Sequence, residues 1–329
     1  PRESVPLPPY PFRRTRHWLE KIPDHAVSPR TRWFGARLDS PAFNGTIYSD
    51  RLGPEDVPGL ADSGHLVHVG LHLAFLAAAL NQANAGPVQI DDAAFPRALT
   101  LDAPHDLQIV REPEGRVTLF ARSGEGGWVE HFQASVMVGS SSQIPAIDLE
   151  SVRNRCGQAA TQQDFYADLE ARGFPLGPRL RRIEQLWSQP GEALAQLSAP
   201  VMDEPLAFGL PAALIEAGVQ LPIAACPERT GAYMLIGWRR FIRTASAHRP
   251  GTWIRTTASA SADGSRLDAD ITLCADDGET LARIEEAILA RIDPAALPIQ
   301  YPCAFIASGA TTPGFALDRR AGLGADAHD

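Results

Sequence analysis

"GLADSGHLVHVGLHLAFLAAAL" runs from Gly59 to Leu80 and places three histidines ahead of a long apolar segment. Residues 71–85 predict a helix with apolar residues on every side, and such a helix is expected to be buried. Short strands are predicted before it, at "FNGTIYSD" (43–50) and "HLVHVG" (65–70). A buried helix flanked by strands therefore organises this part of the chain.

Residues 88–139 continue with segments that alternate apolar and polar residues and are broken by the turn sequences "EPEG" and "GEGG". This alternation predicts antiparallel strands. The second half repeats the order, because "PAALIEAGVQLPIAAC" (211–226) predicts another buried helix and four strand segments follow it up to residue 293. We expect an α+β fold in which each half wraps a curved sheet around a central helix.

Composition limits the possible function. The chain has 329 residues with a net charge of -9, so it lacks the basic surface expected for nucleic acid or an anionic membrane. No apolar run is long enough to span a membrane. Its four cysteines are widely separated and match no metal-binding spacing, which predicts reduced thiols and a cytoplasmic protein. The opening "PRESVPLPPYPF" reads as part of a longer chain.

Several segments resemble, in order, the dehydratase domains of modular polyketide synthases over residues 6–296. They are "LPPYPFRRTRHWL" (7–19), "GWVEHFQASV" (127–136), "ARGFPLGPRLRRIEQLW" (171–187), "ALIEAGVQ" (213–220) and "GWRRFIRTAS" (237–246). The resemblance implies a double hotdog fold, two antiparallel sheets each wrapping a central helix. It also implies a substrate presented on the phosphopantetheine arm of an acyl carrier protein, no bound cofactor and an adjacent ketosynthase in the same chain, and it leaves a homodimer within the synthase open.

The resemblance also divides the chain. Residues 1–20 would be a linker that follows the ketosynthase region, 21–145 the first hotdog, and 146–163 a linker between the hotdogs. Residues 164–297 would form the second hotdog, and 298–329 a partly disordered linker.

A working dehydratase of this family uses a histidine to take the α-proton and an aspartic acid on the other hotdog to help the β-hydroxyl leave. When Gly64 and Gly70 are matched to the two glycines of the family pattern, Leu60 occupies the histidine position and Val69 the proline position. In this register no imidazole is expected opposite the acid. The alternative makes His65 the base, but it requires about five residues to be deleted.

Glu216 occupies the aspartate position, and Gln220 follows on the same helical face. Glutamate keeps the carboxyl but lengthens its reach by about 1.5 Å, which alters a tight catalytic geometry. Leu176 replaces the family tyrosine, whereas Gly177 and Pro178 are retained. The expected pocket is formed by Leu60, Val69, Gly70, Leu176, Gly177, Pro178 and Gln220.

His68 and His72 are expected to be packed polar residues, and no metal site is predicted because no carboxylate motif accompanies them. The acidic carrier protein would need a local basic patch, for which Arg179, Arg239 and Arg240 are the candidates.

Departures at the base, acid, proline and tyrosine positions together predict a domain that has lost dehydratase activity. Such a domain resembles the branching (B) domains of trans-acyltransferase synthases, which make antibiotics and other secondary metabolites. It would bind the carrier-bound acyl chain and assist the ketosynthase in Michael-type addition at the β-carbon.

Three alternatives stay open: an active dehydratase using His65 and Glu216, a double-bond isomerase or oxa-Michael cyclase, and a purely structural domain. The distance from the Glu216 carboxyl to the nearest imidazole bears on this choice.

Overall fold

The computed structural model describes residues 33–40, 43–80, 86–139, 144–199, 201 and 203–293. The expected linkers at 1–20 and 298–329 lie outside these residues. The helices are α1 Val69–Ala79, α2 Leu149–Cys156, α3 Gln162–Ala171 and α4 Ala212–Gln220. The strands are β1 Ala36–Ser40, β2 Phe43–Leu52, β3 Val88–Ala94, β4 His105–Arg111, β5 Arg116–Arg122, β6 Val129–Val138, β7 Gln158–Thr161, β8 Ile183–Gln189, β9 Glu192–Leu197, β10 Leu206–Ala207, β11 Leu210–Pro211, β12 Ala232–Arg243, β13 Trp253–Ala260, β14 Arg266–Cys274 and β15 Thr280–Ile292.

Thirteen of these strands form one antiparallel sheet, in the order β1-β2-β4-β5-β6-β3-β12-β15-β14-β13-β9-β8-β7. Pairing of β3 with β12 joins the two halves edge to edge, and the indole of Trp238 on β12 donates to the carbonyl of Ile90 on β3 over 3.1 Å. The expected double hotdog is confirmed, except that its two sheets are continuous. The shared strand pair makes the two halves one rigid frame.

Each half wraps its sheet around one central helix. Helix α1 carries no Asp, Glu, Lys or Arg and buries almost its whole surface, while α4 exposes little more than part of Glu216 and Val219. An apolar helix surface of this extent is stable only when other elements cover it. Among the described residues, no helix is both long and apolar enough to cross a lipid bilayer.

The two central helices meet at Gly70, in the first turn of α1. A Cβ added at Gly70 would lie 2.0 Å from the carbonyl oxygen of Ala212, the first residue of α4. That distance is far inside van der Waals contact, so only glycine permits this approach. The contact places the start of α1 against α4.

Two expectations of the sequence analysis differ from the structure. Residues 65–70 form no strand, because only Leu66 makes an isolated bridge, to Thr100, and helix α1 already begins at Val69. The expected linker at 146–163 contains α2 and β7. Its polar residues act as helix caps: Asp148 accepts from the Ser151 amide, and Thr161 forms a capping box with α3.

We predict that Gly70→Ala lowers the free energy of unfolding by about 2 kcal/mol or more, because the added methyl group forces α1 and α4 apart. Urea unfolding followed by circular dichroism measures the change. Gly35→Ala is the matched control, since a Cβ there meets no atom within 4 Å. Equal stability of the two variants would contradict the proposed role of the helix contact.

Candidate functional site

A cavity of about 340 Å³ lies between α1, α4 and the loop at residues 173–176. Most of its lining is apolar, with leucine, valine, isoleucine, methionine and phenylalanine side chains. Its polar lining residues are Ser63, His68, His72, Arg97, Thr100, Glu216, Gln220 and Tyr233. Gly64, Gly173 and Pro175 belong to the lining and are exposed, which marks the side on which the cavity meets solvent.

Glu216 on α4 faces His68, the residue that precedes α1. The distance between Oε2 of Glu216 and Nδ1 of His68 is 3.6 Å, and the two side chains are 16% and 7% exposed. The expectation that no imidazole stands opposite Glu216 is therefore wrong. The helix contact at Gly70 explains it, because it brings the start of α1 within reach of the α4 side chains.

Burial controls the charge of Glu216. Removal from water raises the pKa of its carboxyl to about 7, against smaller opposing effects of the Val69 backbone amide and the Gln220 side chain. Glu216 is one of the residues that line the cavity. At neutral pH the cavity therefore holds a carboxyl group poised between its acid and base forms.

Burial has the opposite consequence for the two histidines. It lowers the pKa of His68 to about 3, helped by the charge of His72, and it lowers the pKa of His72 to about 4. The carbonyl of His68 accepts a hydrogen bond from Nδ1 of His72 at 3.1 Å. Both rings are neutral at physiological pH, and a ring that binds a proton this weakly is a poor general base. No group of three or more potential metal ligands occurs among the described residues.

Gln220 is oriented by a residue that the sequence analysis did not identify. The hydroxyl of Tyr166 on α3 lies 3.2 Å from Oε1 of Gln220, and it accepts the backbone N–H of Ile183. This hydrogen bond turns the amide oxygen of Gln220 towards Tyr166. No local sequence pattern indicates the role of Tyr166, because α3 and α4 meet only in the tertiary structure.

The two positions considered for a catalytic base both lie away from the cavity lining. Leu60 is fully buried in the hydrophobic core and, like His65, is not among the cavity-lining residues. His65 has a φ of 66° in a turn, where its carbonyl accepts from the Leu101 amide. This placement does not support His65 as a base acting in the cavity.

The other expected pocket residues divide into two groups. Val69, Leu176 and Gln220 line the cavity, whereas Gly70, Gly177 and Pro178 do not. Gly70 instead seats α1 against α4, and the Gly177 loop anchors the second hotdog to the first.

This anchor depends on Asp62. Its carbonyl accepts the Gly177 amide at 2.7 Å and its carboxylate accepts the Arg179 amide at 3.1 Å. A Cβ at Gly177 would lie 2.0 Å from the Asp62 carboxylate, so the loop requires glycine there. Residues 173–176 of this loop line the cavity, whereas Gly177 contributes no side chain to it.

The expected carrier-docking arginines do not form an open basic patch. Arg239 pairs with Glu286 at 2.9 Å, and Arg240 pairs with Asp91 at 3.1 Å. The Nη1 atom of Arg179 is buried. Partner carboxylates thus neutralise two of the three charges, and a carrier protein has little unpaired positive charge to contact at these positions.

Comparison with known proteins shows which proteins the chain is similar to. Residues 144–298 match the family described as the polyketide synthase dehydratase N-terminal domain. Longer parts of the chain are similar to segments of polyketide synthases. It is 27% identical over 221 residues to mycoketide-CoA synthase of Mycobacterium tuberculosis, covering 60% of this chain and 5% of that protein. It is 21% identical over 323 residues to polyketide synthase PksM of Bacillus subtilis, covering 88% of this chain and 8% of that protein. The chain thus spans a small fraction of the length of these relatives.

Solved structures confirm the fold of this chain. The dehydratase domain from the CurJ module of the curacin polyketide synthase superposes with a TM-score of 0.71 at 23% identity, covering 81% of this chain and 98% of that one. A trans-AT polyketide synthase dehydratase domain from Brevibacillus brevis superposes with a TM-score of 0.68 at 17% identity, covering 78% and 96%. Both comparisons support the double hotdog architecture.

We predict that Glu216→Gln becomes more stable relative to the native chain as the pH rises from 5 to 8. Between pH 4.5 and 7 the unfolded chain has lost the Glu216 proton while the folded chain retains it, so rising pH destabilises only the native chain. The difference in the free energy of unfolding between Glu216→Gln and the native chain should change by ~2 kcal/mol over this pH range, as measured by urea unfolding. Glu184→Gln, on the exposed face of β8, is the control. A pH-independent difference for Glu216→Gln would mean that burial does not perturb this carboxyl.

We predict that Leu60→His adds no dehydratase activity and lowers the free energy of unfolding by about 3 kcal/mol, because it buries a polar ring in the core. Urea unfolding and an enoyl-product assay with a 3-hydroxyacyl thioester measure the two effects. Leu60→Met conserves volume and should cost less than about 1.5 kcal/mol. Water loss catalysed by folded Leu60→His would mean that position 60 reaches the substrate.

Proposed function

We propose that this domain binds a carrier-bound, unsaturated acyl thioester and assists Michael-type addition at its β-carbon without dehydrating the substrate itself. The bond-forming ketosynthase would be a neighbouring domain. One observation carries the proposal: the cavity presents Glu216 as a carboxyl of near-neutral pKa, while its two histidines bind protons too weakly to act as bases.

Dehydration needs a base for the α-proton and an acid for the β-hydroxyl at the same time. In the register that matches Gly64 and Gly70 to the family glycines, the histidine position falls on Leu60, which is buried in the core. His68 is in direct contact with Glu216, so the acid and the imidazole do not face each other across a substrate. This arrangement supports a site with a single proton-transferring group.

A single acid suits conjugate addition. When a carbanion forms a bond to the β-carbon, the electrons of the Cα=Cβ bond move towards the thioester carbonyl. Glu216 would donate its proton to the resulting enolate, and water would return a proton to the carboxylate. A preorganised donor in a cavity of low polarity stabilises such developing charge more than water does.

The cavity also suits the thioester arm. Its apolar lining fits an acyl chain, and its volume of about 340 Å³ falls in the range of small-molecule pockets. Arg97 lines the cavity and, among the described residues, has no ion-pair partner. We assign it to the phosphodiester of the phosphopantetheine arm, which a guanidinium binds in a bidentate manner.

The test is a reconstituted reaction of the neighbouring ketosynthase, a malonyl carrier protein, an enoyl thioester and this domain. We expect Glu216→Gln to slow β-branched product formation about a hundredfold, because it removes the acid proton. Glu216→Asp keeps the acid but shortens its reach and should be intermediate. Mass spectrometry of the carrier-bound product measures the effect.

The matched control offers the domain a 3-hydroxyacyl carrier thioester without the ketosynthase. We expect no loss of water. Dehydration that Glu216→Gln abolishes would overturn the proposal in favour of an active dehydratase.

Double-bond isomerisation is the second candidate, since one carboxyl near its pKa can remove a proton from the γ-carbon and return one to the α-carbon. The near-neutral pKa of Glu216 favours it specifically. Incubation of the isolated domain with an enoyl thioester in D2O distinguishes the two, because only an isomerase incorporates deuterium without the ketosynthase.

A further inference from the structure

The side chain of His68 does not cap the helix that it precedes. It is the N-cap residue of α1, a position at which side chains normally accept hydrogen bonds from the first turn. Here the side chain makes no such bond. The backbone carbonyl instead accepts the amides of Leu71 and His72 at 3.0 and 3.1 Å. The imidazole is therefore free to serve another group.

The Nδ1 atom of His68 is buried, and no described residue forms a hydrogen bond with it. The nearby Oε2 of Glu216 lies at 3.6 Å, just beyond hydrogen-bond length. A small rotation of either side chain closes this gap, and catalytic hydrogen bonds are often long before substrate binds. A buried, unpaired ring nitrogen is costly, so such a closure is favourable.

We propose that His68 is a positioning residue for Glu216: its Nδ1–H donates to Oε2 and keeps the acid proton on Oε1, the oxygen available to a bound thioester. This inference rests on the proposed function, because it concerns the same carboxyl. A neutral imidazole with its proton on Nδ1 is a donor at that atom. An oxygen that accepts this bond is the carbonyl oxygen of the acid, so the hydroxyl forms on the other oxygen.

Other polar and titratable groups surround His68 and Glu216. His72 lies one turn along α1, and Gln220 one turn along α4. On the other side of His68, a small pocket of about 20 Å³ is lined by His68, Arg179 and Glu204. Burial raises the pKa of Glu204, while Arg182 and the Ala213 amide act against that rise. The variants below leave all of these residues in place.

Two substitutions of His68 separate the roles it could have. His68→Asn puts an amide N–H near the place of Nδ1, whereas His68→Leu fills similar space without a donor. In the reconstituted branching reaction we expect His68→Leu to lower kcat about a hundredfold with little change in KM. His68→Asn should stay within about threefold of the native chain, because the donor is retained.

A second readout does not depend on activity. In a chain labelled with ¹³C at Glu Cδ, the chemical shift of Glu216 reports its titration, expected at about 7 in the native chain. His68→Leu should raise the pKa of Glu216, because the carboxylate loses a donor. His68→Asn should leave the pKa of Glu216 unchanged.

Equal behaviour of the two variants overturns the inference. If both retain activity and the native Glu216 titration, His68 has only a structural role. If both are inactive, the ring itself accepts a proton and His68 is a base. The two proposals can also fail separately. If branching does not depend on Glu216, but the pKa of Glu216 is still raised only in His68→Leu, the proposed function is refuted and the positioning role stands. Glu216-dependent branching with identical His68 variants would refute the positioning role alone.

Discussion

The approach of α1 to α4 at Gly70 is the constraint on which the site depends. Without a side chain at Gly70, the backbone of α1 reaches the carbonyl of Ala212 and the first turns of the two central helices touch. The hotdog halves are otherwise joined mainly along the β3–β12 edge. The helix contact adds a second connection, inside the sheet, and it sets the 3.6 Å separation of His68 and Glu216.

The electrostatics of the cavity follow from burial. Because little water reaches these side chains, the carboxyl of Glu216 resists ionisation and the imidazoles of His68 and His72 resist protonation. The same desolvation that makes Glu216 useful near neutral pH costs folding free energy, as is common where function requires a polar group in an apolar surrounding. The cost is tolerated because the cavity walls are part of a large, continuous hydrophobic core.

Around this pair, the chain has the double hotdog architecture of solved dehydratase domains. Leu60 packs in the core, and His68 supplies an imidazole to the cavity lining. Asp62 accepts a hydrogen bond from the Gly177 amide, and Tyr166 donates one to Gln220. Residues of both halves therefore line one cavity.

The local pattern of the chain was sufficient for the repeated helix-and-strand order, because burial periodicity is a property of neighbouring residues. The resemblance to the dehydratase motif, and not the local pattern, selected Glu216 and Gln220, which lie one turn apart on α4. Local pattern was not sufficient for α2 and β7, whose polar capping residues read as a linker. Nor could it distinguish Val69, which lines the cavity, from its neighbour Gly70, which does not.

By itself, the sequence determined that two central helices are buried and that a carboxyl stands on the second of them. Only the tertiary structure decided which histidine meets that carboxyl. The sequence analysis considered His65 as the alternative base and expected His68 and His72 to be packed polar residues, but it is His68 that the glycine-mediated helix contact brings to Glu216. Contacts between residues almost 150 positions apart depend on how backbones pack, and no local pattern records that packing.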